Sequence, residues 1–424
     1  MKLLRVGGAA LLVVLVACSD STKPVDPPTN TCCVTTLSLT PSAVGVVKGL
    51  KQSLKLTAKD TSGSEVRVNA SWSSSAPSVA TVAGDGVVSA VSYGTATITA
   101  TVGTRKAYAA IVVTSIPTTN AYTITDLGPA ASAGSYGRHL SDSGDVLLGW
   151  SAPALYRHGA TTPLAGCTYG LTINGPGHVL CRVDLNDSIS SYGIWRGGLL
   201  TPLAAADTFK AQDFRAFALS DSDEVPGLFF MPLFTNARCP ANGARCLSVW
   251  KDGVPSFPGY DAGGSDAMLM NNRQQVVVEY AIWNENVYGS VIYDVPTAAS
   301  RQTQYGIRAF NDNGWGAITS PWIAHGSADP FRSKAYAATP TALILLGDGG
   351  ATGINNANAV VGTLTVGPFI WRGQGVSLLT NAVNDVSWTI TAAVEINNRG
   401  KILATADNAD GRKAHTVLLT PTQP

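Results

Sequence analysis

Charge is what this chain of 424 residues has least of. Only 13% of it is Asp, Glu, Lys or Arg, and 29 basic residues almost cancel 28 acidic ones. A nearly neutral, sparsely charged chain has no electrostatic footprint for nucleic acid, so that class of partner is excluded. Histidine is scarce as well. His139, His158, His178, His325 and His415 are scattered, no two stand at metal-ligand spacing, and H-E-x-x-H is absent. G-x-S-x-G, the Walker loop and G-x-G-x-x-G are missing too. No catalytic residue, metal or cofactor is therefore expected from motifs. The one marked apolar run lies at the N-terminus and is too short for a comfortable membrane span.

What the chain has in plenty is glycine (43) and proline (23), set among stretches rich in Val, Thr, Ala, Leu and Ser. That is the composition of short strands joined by many turns, and it predicts an all-β protein. The length is generous for one domain and comfortable for two.

The opening "MKLLRVGGAALLVVLVACSD" has a charged start and a short apolar run, which reads as a secretory signal over residues 1–17. Its end, Leu15-Val16-Ala17-Cys18, resembles a bacterial lipobox. The resemblance implies cleavage before Cys18 and lipidation of that cysteine. Several acyl chains, at roughly 0.8 kcal/mol per buried methylene, would hold the protein on a membrane. Ser19 rather than Asp after the cysteine is similar to lipoproteins forwarded to the outer membrane. An ordinary signal peptide with an incidental cysteine is the alternative. Residues 18–33 contain "SDSTKPVDPPTN", with three prolines and almost nothing apolar, and are expected to form a disordered tether. Cys32 and Cys33 are adjacent, a strained geometry for a mutual disulfide, and their state stays open.

Residues 34–115 alternate apolar and polar positions between turn signals, through Trp72, Val79, Val82, Val87, Val91, Ile98 and Val102. Period-two alternation predicts the half-buried strands of a small sandwich. Trp72-Ser-Ser-Ser, then Pro77-Ser-Val-Ala-Thr-Val, Gly86-Val-Val and Gly94-Thr-Ala-Thr-Ile-Thr-Ala resemble the bacterial group 2 immunoglobulin-like (Big2) domain along nearly the whole segment. The resemblance implies a surface spacer or adhesive module, with Trp72 opening a central strand and packing in the core.

After a linker at 116–121, one phrase recurs: "LSDSGDVLLGW" from Leu140, "INGPGHVLCRV" from Ile173, "LSDSDEVPGLF" from Leu219, "MNNRQQVVVEY" from Met270, "FNDNGWGAITS" from Phe310, "INNANAVVGTL" from Ile354 and "INNRGKILATA" from Ile396. The starts are about 43 residues apart on average, the length of a blade of four short strands. Asn, Asp and Gly suit the left-handed conformations of tight turns. A strand ending in an aromatic follows, as at Tyr156, Trp195, Trp250, Tyr293 and Trp371, where the ring is expected to pack between neighbouring sheets.

The last copy lacks a closing strand, and an orphan "YTITDLG" from Tyr122 precedes the first copy. Each terminus can supply what the other lacks, which predicts a closed β-propeller over 122–424, latched so that its edge strands are hidden. Seven blades fit the copies best; six, eight or an open array are the alternatives. "YTITDLG", "INN.G.VVG" and "FIWRG" also resemble the HAF-type extracellular repeats of bacterial secreted proteins.

Candidate sites are few. "DNADG" at Asp407 and "NDNG" at Asn311 read as hairpin turns with too few ligands for calcium. In an exported protein, Cys239 with Cys246 would staple the loop "CPANGARC", and Cys167 would pair with Cys181. Arg138, Arg215 and Arg308 precede three of the turns, with His139 and Glu395 at similar offsets. They could form a polar funnel for an anionic or sugar ligand, or merely cap strands and pair with nearby carboxylates. The function expected is a monomeric, lipid-anchored envelope protein that presents its propeller as a non-catalytic platform for a surface polysaccharide or protein. A carbohydrate-active hydrolase or lyase, or a structural part of the envelope, are the alternatives.

Overall fold

The computed structural model describes residues 34–115, 121–129, 138–186, 189–203, 214–230, 245–256, 268–282, 287–303, 305–319, 333–373, 375–380 and 382–422. The signal segment, Cys18, the tether with Cys32 and Cys33, and all but Ala121 of the linker lie outside these residues. Every regular element among them is a β-strand.

The N-terminal unit is a sandwich. One side carries Ala43–Val47, Arg105–Thr114, Gly94–Val102 and Ser71–Ser74; the other carries Thr36–Thr40, Lys55–Lys59 and Glu65–Val66, with Lys51–Ser53, Val87–Ala90 and Ala80–Val82 beside them. Alternation does the sorting. Along Gly94–Val102, Ala96, Ile98, Ala100 and Val102 are buried while Thr95, Thr97, Thr99 and Thr101 are not. Ile98 meets Leu39, Val46, Leu54, Val88 and Ile111 in the core, and Trp72 packs against that cluster. Trp72 sits on an edge strand, however, not on the central strand that the family resemblance implied. The long hairpin of Gly94–Val102 with Arg105–Thr114 takes the middle of the sheet instead.

Beyond Ala121 the chain forms seven four-stranded antiparallel blades among the described residues. Five are separate sheets; two are joined because Leu343–Ile354 serves as the outermost strand of blade 5 and then as the innermost strand of blade 6. Blade 1 consists of Arg138–Leu140, Val146–Leu148, Ala154–Arg157 and Ala160–Pro163, from the axis outward. Blade 7 is composite. Trp388–Ile396, Ile402–Asn408 and His415–Pro421 come from the C-terminal end, and Tyr122–Pro129 adds the outermost strand, pairing Ile124 with Leu419 and Asp126 with Val417. The orphan phrase and the incomplete last copy thus complete each other.

The repeated aromatics hold neighbouring blades together. Trp195 of blade 2 packs on Leu147 and Leu155 of blade 1. Trp250 of blade 3 meets Leu180 and Ile194 of blade 2, and Trp371 of blade 6 meets Ala317, Ala335 and Ala337 of blade 5. A large flat ring fills the wedge between two twisted sheets better than an aliphatic chain does.

The Ig-like unit is docked on the ring. Thr114 pairs in parallel with Val376 of blade 6, the Ser115 N–H donates to the Val376 carbonyl at 3.2 Å, and the Ser115 and Ser377 hydroxyls are 2.6 Å apart. Val112, 2% exposed, lies in one apolar cluster with Trp371 and Val376. The outer edge of blade 6 is therefore covered by the sandwich, which removes an open edge strand.

Candidate functional site

The recurring phrase is the turn between the first and second strands of each blade, and its first three residues line the mouth of the central channel. The second residue is Asn in five blades and Ser in two. Its side-chain oxygen accepts an N–H from its own turn: Asn271 Oδ1 from Gln275, Asn355 from Ala359 and Asn397 from Lys401 at 2.9 to 3.0 Å, with the Ser141 and Ser220 hydroxyls doing the same. The Asn amide also reaches the next blade. Asn271 Nδ2 donates to the Asn311 carbonyl, Asn311 to Asn355, Asn355 to Asn397 and Asn397 to Ser141 at 2.8 to 3.0 Å. Serine is too short for that second bond. These buried amides form a belt around the ring that is broken after Ser141 and Ser220, and each amide is satisfied at both ends.

The third residue forms a second belt. The backbone N–H of Gly175 donates to Asp221 Oδ1 at 2.6 Å, Asp221 to Asn272 at 2.9 Å and Asn272 to Asp312 at 2.7 Å. Asp312 donates to Asn356 at 3.0 Å, Asn356 to Asn398 at 2.7 Å and Asn398 to Asp142 at 2.9 Å. The link from Asp142 to blade 2 is missing, because blade 2 has Gly175 there and offers no side-chain acceptor.

The fifth residue is left-handed in every blade: Gly144, Gly177, Asp223, Gln274, Gly314, Asn358 and Gly400 have φ between 59° and 91°. Glycine takes this conformation freely. The other three reach the preceding blade instead: Asp223 bonds Asn174 and His178, Gln274 bonds Glu224, and Asn358 bonds Asn311. After three of the repeated aromatics stands a cation that meets a carboxylate of the fifth or sixth residue of a turn: Arg157 with Asp145, Arg196 with Asp223 and Lys251 with Glu224.

Within the belts lies an axial cavity of about 180 Å³, lined from all seven blades and including Asp142, Gly175, Asp221, Asp312 and Glu395. Its wall is polar and rich in acceptors. Asp221 is open to the cavity yet crowded by protein around it, and that burial pushes its carboxyl up. The Gly175 N–H and the Asn272 amide pull it back down, while the charges of Asp142 and Asp312 raise it further.

Of the five residues expected to make a funnel, Glu395 alone lines this cavity among the described side chains. His139 Nδ1 stands 3.5 Å from Glu395 Oε2, which also accepts the Leu140 N–H at 3.0 Å. Arg308 faces Glu279 of blade 4 at 3.6 Å, and burial, only partly offset by Arg308, pushes the Glu279 carboxyl up. Arg215 is exposed on the innermost strand of blade 3. Arg138 lies on the innermost strand of blade 1, and its side chain is outside the described residues. The wall is built instead by the third residues of the turns, which sequence reasoning passed over as turn formers. Asp or Asn at that place in six copies of the phrase was the signal.

Cys167 and Cys181 form a disulfide that ties the exit of blade 1 to the second strand of blade 2. Cys239 and the side chain of Cys246 lie outside the described residues. Asp407 accepts from the Ala414 N–H and Lys413 in a hairpin turn, and Asn311 belongs to the belt.

A comparison with curated protein sequences finds no match. Among solved structures, domains 4 and 5 of the S-layer protein SbsC share 29% identity over 19% of this chain and 51% of that one, with a TM-score of 0.18. The chain thus spans about half of that S-layer fragment. The β-propeller domain of the Trilobed protease from Pyrococcus furiosus is 8% identical over 55% of this chain and 75% of that one, with a TM-score of 0.34. An oligogalacturonate lyase in complex with manganese is 11% identical over 73% and 97%, with a TM-score of 0.40. Residues 33–112 match the bacterial Ig-like domain (group 2) family, and the sandwich that docks on blade 6 is that domain.

Proposed function

We propose that the protein is a cell-surface or extracellular binding platform, in which the propeller holds a hydrophilic ligand at the mouth of its axial cavity. The observation that carries this reading is the cavity itself: its polar wall is drawn from all seven blades and fixed by two belts of hydrogen bonds. A preorganised polar wall binds without paying the ordering cost of flexible side chains. The Ig-like domain and the disulfide fit an exported protein. Lipidation at Cys18, the HAF-type character of the repeats and an outer-membrane position belong to the same reading. A Cys18→Ala variant that stayed with the membrane fraction and still took up labelled fatty acid would remove the anchor from it.

The ligand class proposed is a surface polysaccharide. The test is to incubate the protein with a panel of polysaccharides and to record both retention and newly released chain ends. Retention without release supports the platform. Release that grows with time would favour a second reading, a hydrolase or lyase. One observation speaks for that reading: Asp221, with its carboxyl pushed up, shares the cavity with Asp142 and Asp312. No retention and no release on any polysaccharide would overturn the polysaccharide assignment.

A further inference from the structure

The second belt contains its own pattern for a missing partner. Asn272 Oδ1 accepts the Asp221 N–H at 2.9 Å while Asn272 Nδ2 donates to Asp221 Oδ2 at 2.8 Å. Asn356 clasps Asp312 in the same way, at 3.0 and 2.7 Å. In both places an aspartate offers its backbone N–H and its carboxylate together, and a primary carboxamide from the next blade takes both along one edge. Asp142 offers the same pair, but the next blade has Gly175. Among the described residues the Asp142 N–H meets no acceptor.

The Asp142 carboxylate has the capacity to be clasped again. Asn398 already donates to it twice, from its N–H to Oδ1 and from Nδ2 to Oδ2. Asp312 carries that same load from Asn272 and still accepts the Asn356 amide, because each carboxylate oxygen has two lone pairs. Asp142 and Gly175 both line the axial cavity, so the vacant edge can be reached by a ligand.

We infer that the notch between Asp142 and Gly175 is a subsite for a primary carboxamide, the group borne by an asparagine or glutamine side chain of a partner. The inference rests on the cavity being a ligand site. The chemistry is selective. An anion would meet the charges of Asp142 and Asp221, and an ammonium cannot accept the N–H. A trans secondary amide points its oxygen and its hydrogen to opposite sides and cannot grip both points. A primary amide, with a hydrogen syn to its oxygen, repeats what Asn272 and Asn356 do.

The test is a titration of the 15N-labelled full chain with acetamide, following the Asp142 amide resonance. It is expected to move and to saturate in roughly the millimolar range that so small a ligand can reach. N-methylacetamide, the trans secondary amide, is expected to leave it in place. Gly175→Asn should shift the Asp142 amide without ligand and abolish the response. A Cβ there would stand 2.7 Å from Asp221 Oδ1, so that carboxylate must turn aside. Asp142→Asn is the second variant; its ring would contain one more Asn–Asn link of the kind already made by Asn356 and Asn398, and its acetamide response should fall at least tenfold, by roughly 1.4 kcal/mol. An Asp142 resonance that ignores acetamide, or that moves equally with N-methylacetamide, overturns the subsite. Either result leaves polysaccharide retention, read in a separate assay, where it stood.

Discussion

Asp126 Oδ1 and His415 Nδ1 are 2.8 Å apart across the pair of strands that closes the ring. Arg412 joins them, with Nη1 at 2.6 Å from Asp126 Oδ2 and its guanidinium 4.7 Å from the centre of the Trp388 ring. The first strand of the propeller and the last are thus fastened by charge as well as by their backbone ladder.

The closure is expected to loosen in acid. Burial works to raise the Asp126 carboxyl, but hydrogen bonds from His415, the Gly128 N–H and Arg412, together with the His415 charge, outweigh it and hold the group below its ordinary range. A depressed folded pKa means that the contribution is complete above the unfolded carboxylate value and fades as pH falls through the folded one. Asp126→Asn should therefore cost about 1 kcal/mol at neutral pH, a modest figure because the pair is partly solvated. The difference from the parent should vanish in acid. Urea unfolding of both proteins at neutral and strongly acidic pH measures it, and a gap that persists in acid would show that charge is not its source.

The amide belt predicts a graded loss. Asn355 is 5% exposed, its oxygen serves two N–H groups of its own turn, and its amide donates to the Asn397 carbonyl. Alanine would leave those buried groups without partners and should cost about 2–3 kcal/mol. Serine keeps the turn bond, as Ser141 and Ser220 do, and loses only the bridge to the next blade, so Asn355→Ser should cost about half as much. Equal losses in a denaturant titration would mean that the bridge contributes nothing.

The blade architecture was legible in the sequence because its causes are local. Period-two alternation, turn residues and an aromatic at one fixed place recur in each copy, and the fragment at Tyr122 had only one place to go. The cavity wall was much less legible. Nothing in one copy shows that the third residue of the turn bonds the third residue of the next copy, since that contact exists only after the ring has closed. Arg308 looked like a funnel residue for the same reason: its partner, Glu279, comes from another blade. The docking of the Ig-like domain depends on the exposed edge of Val376–Leu378, a tertiary feature that no linker sequence declares.

That docking should be separable from the folding of the two parts. Val112 points away from the core of the sandwich and into the cluster of Trp371 and Val376. Val112→Asp places an unpaired carboxylate in that contact at a cost of several kcal/mol, while leaving Ile111 and Val113 in the sandwich core. Small-angle scattering of the full chain should then report a larger radius of gyration, with the β-sheet circular dichroism retained. Unchanged scattering would mean that the backbone pairing of Thr114 with Val376 suffices to hold the domains together.

Two left-handed residues should respond to glycine with opposite signs. Ala298 and Gln274 share a φ of 59°, which costs a residue with a Cβ on the order of 1 kcal/mol. Ala298 lies exposed at a hairpin end between Val287–Asp294 and Ala299–Thr303. Ala298→Gly relieves the strain and gives back part of the gain through a freer unfolded chain, so a net stabilisation of about 0.5 kcal/mol is expected. Gln274 has a second role. Its amide donates to Glu224, a carboxylate only 3% exposed whose other partner is Lys251. Gln274→Gly relieves the same strain but strips a hydrogen bond from a buried charge, so a net loss of about 1–2 kcal/mol is expected. Equilibrium unfolding of the two variants distinguishes backbone strain from inter-blade contact. If both stabilise, Gln274 is merely tolerated at its position; if the signs differ, blade 4 keeps a strained residue because it holds blade 3.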